Sequence, residues 1–408
     1  MSNGNMLVAI DVGTHKICTL IGQFTPEGLI HIIGVGQSPS KGARRGVIVT
    51  VDEAAQAIAH SVEQAERMAG YPVKSAFIGI AGSHIASLNS KGVIAVSRAD
   101  GEISHDDVNR AIDAAQAISL PANREILHVL PRSFVIDGQE GVKDPVGMSG
   151  VRLEVETHIV SCATSSLRNL VKCVNQVGID VEGLVLNCLA SAQSVLTETD
   201  KELGCILVDI GAGTTDIAIF VEGSVWYTGV LPVGGNHVTN DIAVGLRIPF
   251  HVAERIKNEV YSTQNTEEDI DLINYGSTEK QLVSRQLLKD IVHARLEEIF
   301  AMLSAEIRKS GYVGLLSGGA ILTGGGAEMD GIVDIAKQYL KIPTRIGIPM
   351  KISGMIDKIK TPAYTTGAGL LLWGQHHQFL QVRKRSSSGN WPDVFKQFRD
   401  WIKRSFSV

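Results

Sequence analysis

The sequence has few cysteines, few aromatic residues and no long apolar run. Its five cysteines are scattered over 408 residues and form no CxxC pair, which argues against a disulfide framework or a thiolate metal site and is typical of a reducing cytoplasm. No stretch approaches the roughly eighteen consecutive apolar residues of a membrane span, and the first residues lack the pattern of a secretion signal. The formal net charge of −5 argues against general nucleic-acid binding.

The scarce large aromatic residues are concentrated at one end. Five of the fourteen Trp and Phe residues fall within the last eighteen positions. From Arg383 onward, seven basic residues accompany two acidic ones, a net charge of +5, so that the rest of the chain carries −10. The stretch "QVRKRSSSGN" is basic, rich in Ser and lacks an apolar period, which predicts a flexible linker over 381–389.

The pattern of residues 390–408 predicts an amphipathic helix. At 100° per residue its apolar side chains fall within an arc of roughly 140°, and the basic side chains lie opposite. Such a terminal helix ordinarily docks on its own domain, but the linker, the aromatic residues and the outer basic charge favour an anionic membrane surface. The predicted membrane contacts are Trp391, Phe395, Phe398, Trp401, Ile402, Lys403, Arg404 and Phe406.

Two segments about two hundred residues apart repeat one pattern. "LVAIDVGTHKICTLIG" from Leu7 and "CILVDIGAGTTDIAIF" from Cys205 each contain an apolar strand ending in Asp-x-Gly, a tight turn and a second apolar strand. A Gly-containing turn and a third strand follow in both copies. Helical patterns come after each triplet, which predicts a duplicated α/β domain with a cleft between the halves.

The repeated turns favour an anion such as phosphate, because their glycines let backbone N–H groups converge. Asp11 and Asp209 would face the same space and repel a phosphate, unless a hard cation such as Mg²⁺, held mostly through waters, lies between them. One Asp-x-Gly turn after a strand is usually only a hairpin. Two matched copies favour a binding site.

Three other clusters fit a nucleotide site, although each is weak alone. "LTGGGA" would let the chain pass beside a flat ligand, but Gly-rich turns are common and this one lacks the Lys-Ser or Lys-Thr of a P-loop. "PVGGNH" adds further glycines. Glu254 and Lys257 share a helix face, either as an exposed ion pair or as hydrogen-bonding partners for a sugar.

The ordered set "DVGTHK", "DIGAGTTD", "LTGGGA" and "YTTGAG" resembles the phosphate, adenosine and connecting motifs of the actin, Hsp70 and sugar-kinase superfamily, over the chain up to about Gly374. The longer runs "DPVGMSGVRLEVETHIVSC" and "LASAQSVLTETDKELGC" are similar to the FtsA family of bacterial cell-division actin homologues. The resemblance implies an α/β actin-like ATPase fold that binds ATP with Mg²⁺, the metal lying near Asp11 and Asp209. Its implied nucleotide-binding residues are Gly13, Thr14, His15, Lys16, Gly211, Ala212, Gly213, Thr214, Thr215, Gly234, Gly235, Asn236, Glu254, Lys257, Gly324, Gly325 and Gly326.

The resemblance also implies two large subdomains, each with a smaller one. The implied boundaries are 1–83, 162–198 and 365–380 for the first large subdomain, 84–161 for its inserted small subdomain, 199–247 and 315–364 for the second large subdomain, and 248–314 for its small subdomain.

One departure from the superfamily concerns catalysis. In "LVLNCLASAQ", Asn187 and Cys188 occupy the connecting segment where actins and Hsp70s place a Gln or Glu that orients the attacking water. A thiol cannot polarise water as a carboxylate does, and Asn is shorter than Gln. Hydrolysis is therefore expected to be slow, with Asp11, Asp209 and Asn187 as candidate catalytic residues.

The resemblance implies an ATP-binding protein that polymerises on the inner face of the cytoplasmic membrane and tethers FtsZ filaments there at the division site, among other divisome proteins. The FtsZ contact is expected within 248–314, where a predicted helix presents Arg285 and Arg295, although such charges often only solvate a helix. The alternative is a small-molecule kinase of the same fold. A kinase has no evident use for an aromatic, basic tail.

Overall fold

The computed structural model describes residues 6–25, 28–97, 101–259, 269–276 and 282–384. The predicted membrane helix and residues 385–389 of the predicted linker lie outside the described residues.

Strands and helices are mixed along the described chain, with several runs of consecutive strands. The strands are β1 (Met6–Val12), β2 (Lys16–Phe24), β3 (Ile30–Pro39), β4 (Ala43–Arg44), β5 (Val47–Ile48), β6 (Ser75–Ile80), β7 (Ala86–Ala95), β8 (Arg124–Ile136), β9 (Gln139–Val142), β10 (Arg152–Ala163), β11 (Asp180–Leu186), β12 (Cys205–Ile210), β13 (Thr215–Val221), β14 (Ser224–Leu231), β15 (Ile270–Asp271), β16 (Leu282–Val283), β17 (Gly319–Thr323), β18 (Thr344–Ile346) and β19 (Ile352–Gly354). The helices are α1 (Val51–Ala69), α2 (His105–Gln116), α3 (Thr164–Gln176), α4 (Asn187–Val195), α5 (Glu198–Leu203), α6 (Gly235–Leu246), α7 (Phe250–Glu259), α8 (Arg285–Ser310), α9 (Ile332–Leu340), α10 (Ile356–Ile359) and α11 (Thr365–Lys384).

The first half of the molecule is built on a six-stranded sheet in the order β11-β6-β1-β2-β3-β19. Strands β1, β2 and β3 form an antiparallel meander, whereas β6, β11 and β19 are added in parallel. Helix α1 covers one face of this sheet because Ala54, Ile58, Val62 and Ala65, spaced three or four apart, form its buried side. Acidic residues in its first turn complement the helix dipole.

The second half repeats this arrangement. Its five-stranded sheet has the order β14-β13-β12-β17-β18, again with an antiparallel meander followed by parallel strands. Helices α6, α8 and α9 pack into one apolar core with it. The prediction of a duplicated, actin-like α/β fold is confirmed.

Helices α4 and α11 lie between the two sheets. They contact each other closely, and their apolar side chains share a core with residues of both sheets, such as Leu20 and Leu207. The two halves are therefore joined by a continuous buried layer rather than by a loose linker.

A four-stranded antiparallel sheet, in the order β7-β10-β8-β9, is inserted into the first half together with α2. It contacts both halves. His128 accepts a hydrogen bond from the Leu186 N–H at 3.0 Å in the first half. On the side of the second half, His158 bonds the Thr228 hydroxyl at 2.9 Å, and the Arg132 guanidinium stacks on the Trp226 ring at 3.9 Å.

Helix α11 extends farther than the sequence predicts. It continues to Lys384, whereas the linker is predicted to begin at residue 381. The four residues "QVRK" contain no Gly or Pro and are adequate helix formers, so nothing in them ends the helix.

Candidate functional site

A cleft of about 400 Å³ separates the two halves, and most of the predicted nucleotide-binding residues line it. The predicted residues in its wall are Asp11, Gly13, Thr14, His15, Lys16, Asn187, Asp209, Gly211, Ala212, Gly213, Thr214, Gly235, Asn236, Glu254, Lys257, Gly324, Gly325 and Gly326. The structure thus brings together motifs that lie more than three hundred residues apart in sequence.

The two Asp-x-Gly turns have the same backbone geometry. In the turn between β1 and β2, the Gly13 N–H donates to the Lys16 carbonyl at 3.1 Å. In the turn between β12 and β13, the Gly211 N–H donates to the Thr214 carbonyl at 2.9 Å. In each case the hydrogen bond joins the first and fourth residues of the turn. Residues of both turns line the cleft, so the two loops form opposing walls of one space.

Three carboxyl groups lie at the base of this space. Burial, and then the charge of Asp209, raises the pKa of Asp11 to about 6. Burial also raises the pKa of Asp209, although Ser191 donates to it at 2.6 Å and Thr366 at 3.2 Å. Burial, and then the charge of Asp209, raises the pKa of Asp216 to about 8.

Asp216 is the residue of this trio that the sequence reasoning did not assign. One of its carboxyl oxygens accepts from the Thr214 hydroxyl at 2.9 Å, and the other is buried without a hydrogen-bond partner among the described residues. A buried oxygen of this kind is costly unless a ligand satisfies it. Asp216 ends the quoted motif "DIGAGTTD", so its position in a repeated loop was the available signal.

The cluster suits a hard cation in a particular way. Within the described part of the chain, no three His, Cys, Asp or Glu side chains are grouped closely enough to hold one metal ion directly. A cation placed among the three carboxyl groups would therefore keep water ligands, which is how Mg²⁺ commonly binds proteins.

Asn187 and Cys188 take different positions. Asn187 begins α4 in the cleft wall, where its amide donates to Asp11 at 3.4 Å and its carbonyl oxygen is buried without a partner among the described residues. Cys188 is fully buried in the core between the sheets, and burial raises the pKa of its thiol well above the usual value. Cys188 therefore cannot act in the cleft, and Asn187 is the member of the pair that can.

Glu254 and Lys257 form an ion pair that lines the cleft, with Lys257 buried and Glu254 partly buried, so the exposed-ion-pair interpretation does not apply. Their charged atoms are 2.7 Å apart, Lys257 also donates to Thr239 at 2.8 Å, and Lys257 is 8% exposed. Burial opposes ionisation of Glu254, but the charge and hydrogen bond of Lys257 outweigh it and lower the pKa of Glu254. The pair presents both a donor and an acceptor to the cleft.

The three glycines that follow β17 have different surroundings. Gly324 has a φ of 80°, and a Cβ on it would lie 2.3 Å from an Asp209 carboxyl oxygen. A Cβ on Gly326 would lie 2.4 Å from the Ile210 side chain. At Gly325 the first contact would be Ala363 at 3.8 Å, an ordinary distance. Gly325 is thus the position where a side chain fits the fold but enters the cleft.

Two predicted binding residues do not line the cleft. Thr215 is buried in β13, where its hydroxyl donates to the Val233 carbonyl at 2.8 Å. Gly234 precedes α6, and its N–H donates to the His237 ring at 3.1 Å. Both residues are chain neighbours of residues that line the cleft.

The cleft also contains residues that the sequence reasoning missed. Thr366 and Ser191 hold Asp209, and Gln37 lines the wall and accepts from the Tyr364 hydroxyl at 3.0 Å. Thr366 and Tyr364 belong to the quoted motif "YTTGAG". Ser191 is fully buried behind Asp209 and belongs to the segment "LVLNCLASAQ", whereas Gln37 lies in none of these motifs and only the fold brings it to the cleft.

The two arginines predicted to contact a partner lie at different places on α8. The guanidinium of Arg295 forms a two-pronged ion pair with Asp241 of α6, at 2.5 and 2.9 Å, and also bonds Glu298 at 2.6 Å. Arg295 therefore fastens α8 to α6. Arg285 is the first residue of α8, after the N-capping Ser284.

In the chain segments that the structure describes, no helix combines the length and the apolar character needed to cross a membrane. The predicted membrane contacts of the tail, from Trp391 to Phe406, lie outside these segments.

Solved structures with the same architecture define the fold class. A PilM-PilN type IV pilus biogenesis complex matches with a TM-score of 0.67 at 13% identity, covering 90% of this chain and 98% of that chain. MreB5 of Spiroplasma citri bound to ADP matches with a TM-score of 0.56 at 14% identity, covering 94% and 99%. The protein has the actin-like ATPase fold.

Comparison with known sequences shows to which family of actin-like proteins the chain belongs. A family profile described as "Cell division protein FtsA" matches residues 206–369, and one described as "SHS2 domain inserted in FTSA" matches residues 82–161. Cell division protein FtsA of Pseudomonas aeruginosa is 42% identical over 100% of this chain and 99% of its own length, and that of Escherichia coli K12 is 33% identical over 98% of both. The chain belongs to the FtsA family of cell-division proteins, as the sequence motifs predict.

Proposed function

We propose that this cell-division protein binds ATP together with Mg²⁺ in the cleft and uses the nucleotide as a switch. The observation that carries the proposal is the pair of matched Asp-x-Gly loops, which approach one cleft from opposite halves with three buried carboxyl groups at its base. Solved structures of MreB5 that share the fold are described as bound to ADP and to AMPPNP. Both ligands are adenine nucleotides.

The loops provide the phosphate end of the site. Backbone N–H groups at their tips, the Thr14 hydroxyl and the Lys16 ammonium are donors suited to phosphate oxygens. Asp11, Asp209 and Asp216 provide the opposite charge, and Mg²⁺ would neutralise the repulsion between these carboxylates and the phosphates when bound. Without a cation, the raised pKa values indicate that the carboxyl groups resist sharing this space as anions.

The adenosine end is formed by the second half. The Glu254–Lys257 pair offers an acceptor and a donor for ribose hydroxyls. Gly324, Gly325 and Gly326, with the turn at Gly235 and Asn236, leave room for a flat base beside the backbone.

Turnover is expected to be slow. Asn187 is the polar side chain that the connecting segment sends into the cleft, and its amide is already bonded to Asp11. Its carbonyl oxygen can accept one hydrogen bond from a water but is a much weaker base than a carboxylate. We expect phosphate release far below the roughly 10 per second of an ordinary enzyme.

Calorimetry with ATP and Mg²⁺ tests the binding site. Asp209→Lys should abolish ATP binding, because it removes a buried carboxylate that both phosphate loops surround and adds bulk there. Asp334→Lys is the matched control, since Asp334 is 87% exposed at the side chain on α9 and should leave the affinity unchanged. An Asp209→Lys protein that remains folded by circular dichroism and binds ATP like the wild type would contradict the proposal.

We further propose that the protein polymerises on the inner face of the cytoplasmic membrane at the division site and tethers FtsZ filaments there. Membership of the FtsA family and the actin-like fold support self-association and divisome partners, and the amphipathic pattern of residues 390–408 supports membrane attachment. Full-length similarity to cell-division proteins favours this role over a small-molecule kinase.

The start of α8 is the favoured contact for the FtsZ C-terminal peptide. Three large apolar side chains near it are about half exposed, namely Ile273, Leu282 and Leu287. Together with Arg285 they combine apolar area with basic charge, which suits an acidic peptide that carries apolar anchors. Arg295 lies about 15 Å farther along α8, where its guanidinium pairs with Asp241 of α6.

A further inference from the structure

A short hairpin after the first meander ends in an unusual turn. Strands β4 and β5 pair Arg44 with Val47, so the connection consists of Arg45 and Gly46. Both residues have positive φ, 48° and 74°. Two-residue turns of this kind are ordinarily Asn-Gly or Asp-Gly, because a long side chain is strained in the left-handed region. A long side chain at the first position is therefore strained, as it also is at Glu222 (φ 51°) in the turn between β13 and β14.

The turn lies where the two phosphate loops meet. The Gly46 N–H donates to the Thr14 hydroxyl at 3.1 Å, which fixes the turn to the loop of the first half. A Cβ on Gly213, in the loop of the second half, would lie 3.0 Å from the Arg45 Cα and 2.8 Å from the Thr14 hydroxyl. The turn thus contacts the first loop through Gly46 and lies against the second loop through Arg45.

The Arg45 side chain is exposed, and the next residue, Gly46, lines the cleft. Of the two lysines that line the cleft, Lys257 is paired with Glu254, and Lys16 belongs to the first phosphate loop, where its ammonium lies 3.9 Å from the centre of the Tyr364 ring. The base of the cleft carries three carboxyl groups. The end that receives the outermost phosphate therefore gains most from an added guanidinium, whose planar donors fit phosphate oxygens in pairs.

Residues with a strained backbone conformation are often found where that conformation contributes to ligand binding or catalysis. We propose that Arg45 binds the terminal phosphate of a nucleoside triphosphate in the cleft, so that the strained turn distinguishes ATP from ADP. This inference rests on the proposed function, because it requires that the cleft binds ATP. Arg44, one residue earlier, lies in β4 rather than at the tip and has no such role.

Four proteins test this assignment by fluorescent-nucleotide displacement with Mg-ATP and with Mg-ADP. Arg45→Asn removes the charge and fits the positive φ, Arg45→Lys keeps a charge but loses the planar fork, and Arg44→Ala removes a neighbouring charge from the same hairpin. We expect Arg45→Asn to weaken ATP binding about tenfold or more, the value of a charge-assisted hydrogen bond, and to change ADP binding by less than twofold. Arg45→Lys should lie between it and the wild type, and Arg44→Ala should keep the wild-type ratio of affinities.

Thermal unfolding without nucleotide supplies a second readout. Because asparagine tolerates positive φ, Arg45→Asn should melt at the same temperature as the wild type or higher, so lost ATP preference cannot be attributed to lost folding. Equal weakening of ATP and ADP, or an unchanged ATP affinity, would overturn the role of Arg45. A wild-type protein that binds neither nucleotide would instead contradict the proposed function, and this inference with it.

Discussion

Gly325 is the cleft residue at which ligand binding and folding can be separated. A side chain there meets little of the protein, whereas Cβ atoms on Gly324 or Gly326 would collide with Asp209 or Ile210. We expect Gly325→Asp to keep the wild-type melting temperature and to lose ATP binding at least tenfold, because a carboxylate would occupy the space of the base.

The matched comparison for this prediction is Gly326→Ala. That change should lower the melting temperature, because the methyl group would require β12 to shift. Calorimetry and thermal unfolding of the two variants provide the measurements. Unchanged ATP affinity in Gly325→Asp would remove this glycine turn from the site.

At the residue level, motifs predicted which residues line the cleft where backbone turns form its wall. The loops at Gly13 and Gly211 lie where the sequence predicts, because glycine spacing fixes a turn locally. Cys188 and Asn187 could not be told apart in this way, since one faces the core and the other the cleft. That difference depends on the rotation of α4 between two sheets, which no local pattern encodes.

Helices α8 and α6 show that the role of a charged residue depends on tertiary packing. Arg285 and Arg295 both occur on a helix in the sequence, yet Arg295 joins two helices through Asp241. Burying part of such a pair and then removing one partner leaves an unpaired charge. A loss of partner binding in an Arg295 variant would thus include the effect of disturbed packing between α8 and α6.

We expect Arg285→Glu to weaken binding of the FtsZ C-terminal peptide about fivefold to tenfold, because it replaces attraction by repulsion at the proposed contact. Arg308→Glu is the control on the same helix, exposed and roughly 35 Å away at 1.5 Å per residue. Fluorescence anisotropy with labelled peptide measures both. Equal affinities in the two variants would move the contact away from the start of α8.

The strands β8 and β10 each bury a histidine, and both should make stability depend on pH. Burial lowers the pKa of His128 to about 3, and burial with the charge of Arg132 does the same for His158. In the unfolded chain the value is about 6.5. Below pH 6.5 the unfolded state therefore binds more protons than the folded state, so stability is lost as pH falls from about 6.5 towards 3.

We expect this loss to reach up to about 2 kcal/mol per histidine between pH 7 and pH 5. In His158→Gln the decrease in melting temperature over this interval should be smaller than in the wild type, whatever the variant's stability at pH 7. His60→Gln, which changes an exposed histidine of α1, should behave like the wild type. The same decrease in all three proteins would show that His158 is not a source of the acid sensitivity.

At the scale of the whole molecule, the charge distribution separates a body of −10 from a terminal segment of +5. Anionic lipids repel the first and attract the second at roughly 1 kcal/mol for each nearby basic residue. One weak anchor per subunit would become a stable attachment once subunits assemble, because the anchors then act together.

Replacing Trp401 and Phe398 with Glu should release the protein from anionic vesicles and leave its ATP affinity unchanged. The control is Val244→Glu on α6, which should leave vesicle binding intact because Val244 is exposed. Phe220 is unsuitable as a control because it is buried in the core. Sedimentation with vesicles of mixed anionic and neutral lipid measures the effect. If the double variant sediments like the wild type, the tail is not the anchor.

The duplicated architecture was predictable because the meander leaves a repeated local pattern, whereas the additions to each sheet were not. Strand β19 has three residues and lies beside β3 only because the chain returns there after completing the second half. His31 and Ser353 on these strands are 322 positions apart and bond at 3.2 Å. No periodicity within a short window can indicate such a pairing.

That late return has a consequence for the order in which a growing chain can fold. The second half, from β12 to β18, is nearly continuous in sequence and can fold once it has left the ribosome. The first half is synthesised first but lacks β19 and α11 until the second half has been made, which at about 5–20 residues per second leaves one face of its sheet uncovered for on the order of tens of seconds. The N-terminal half of the protein is therefore the last to be completed. It is also the half that most needs chaperones to prevent aggregation during synthesis.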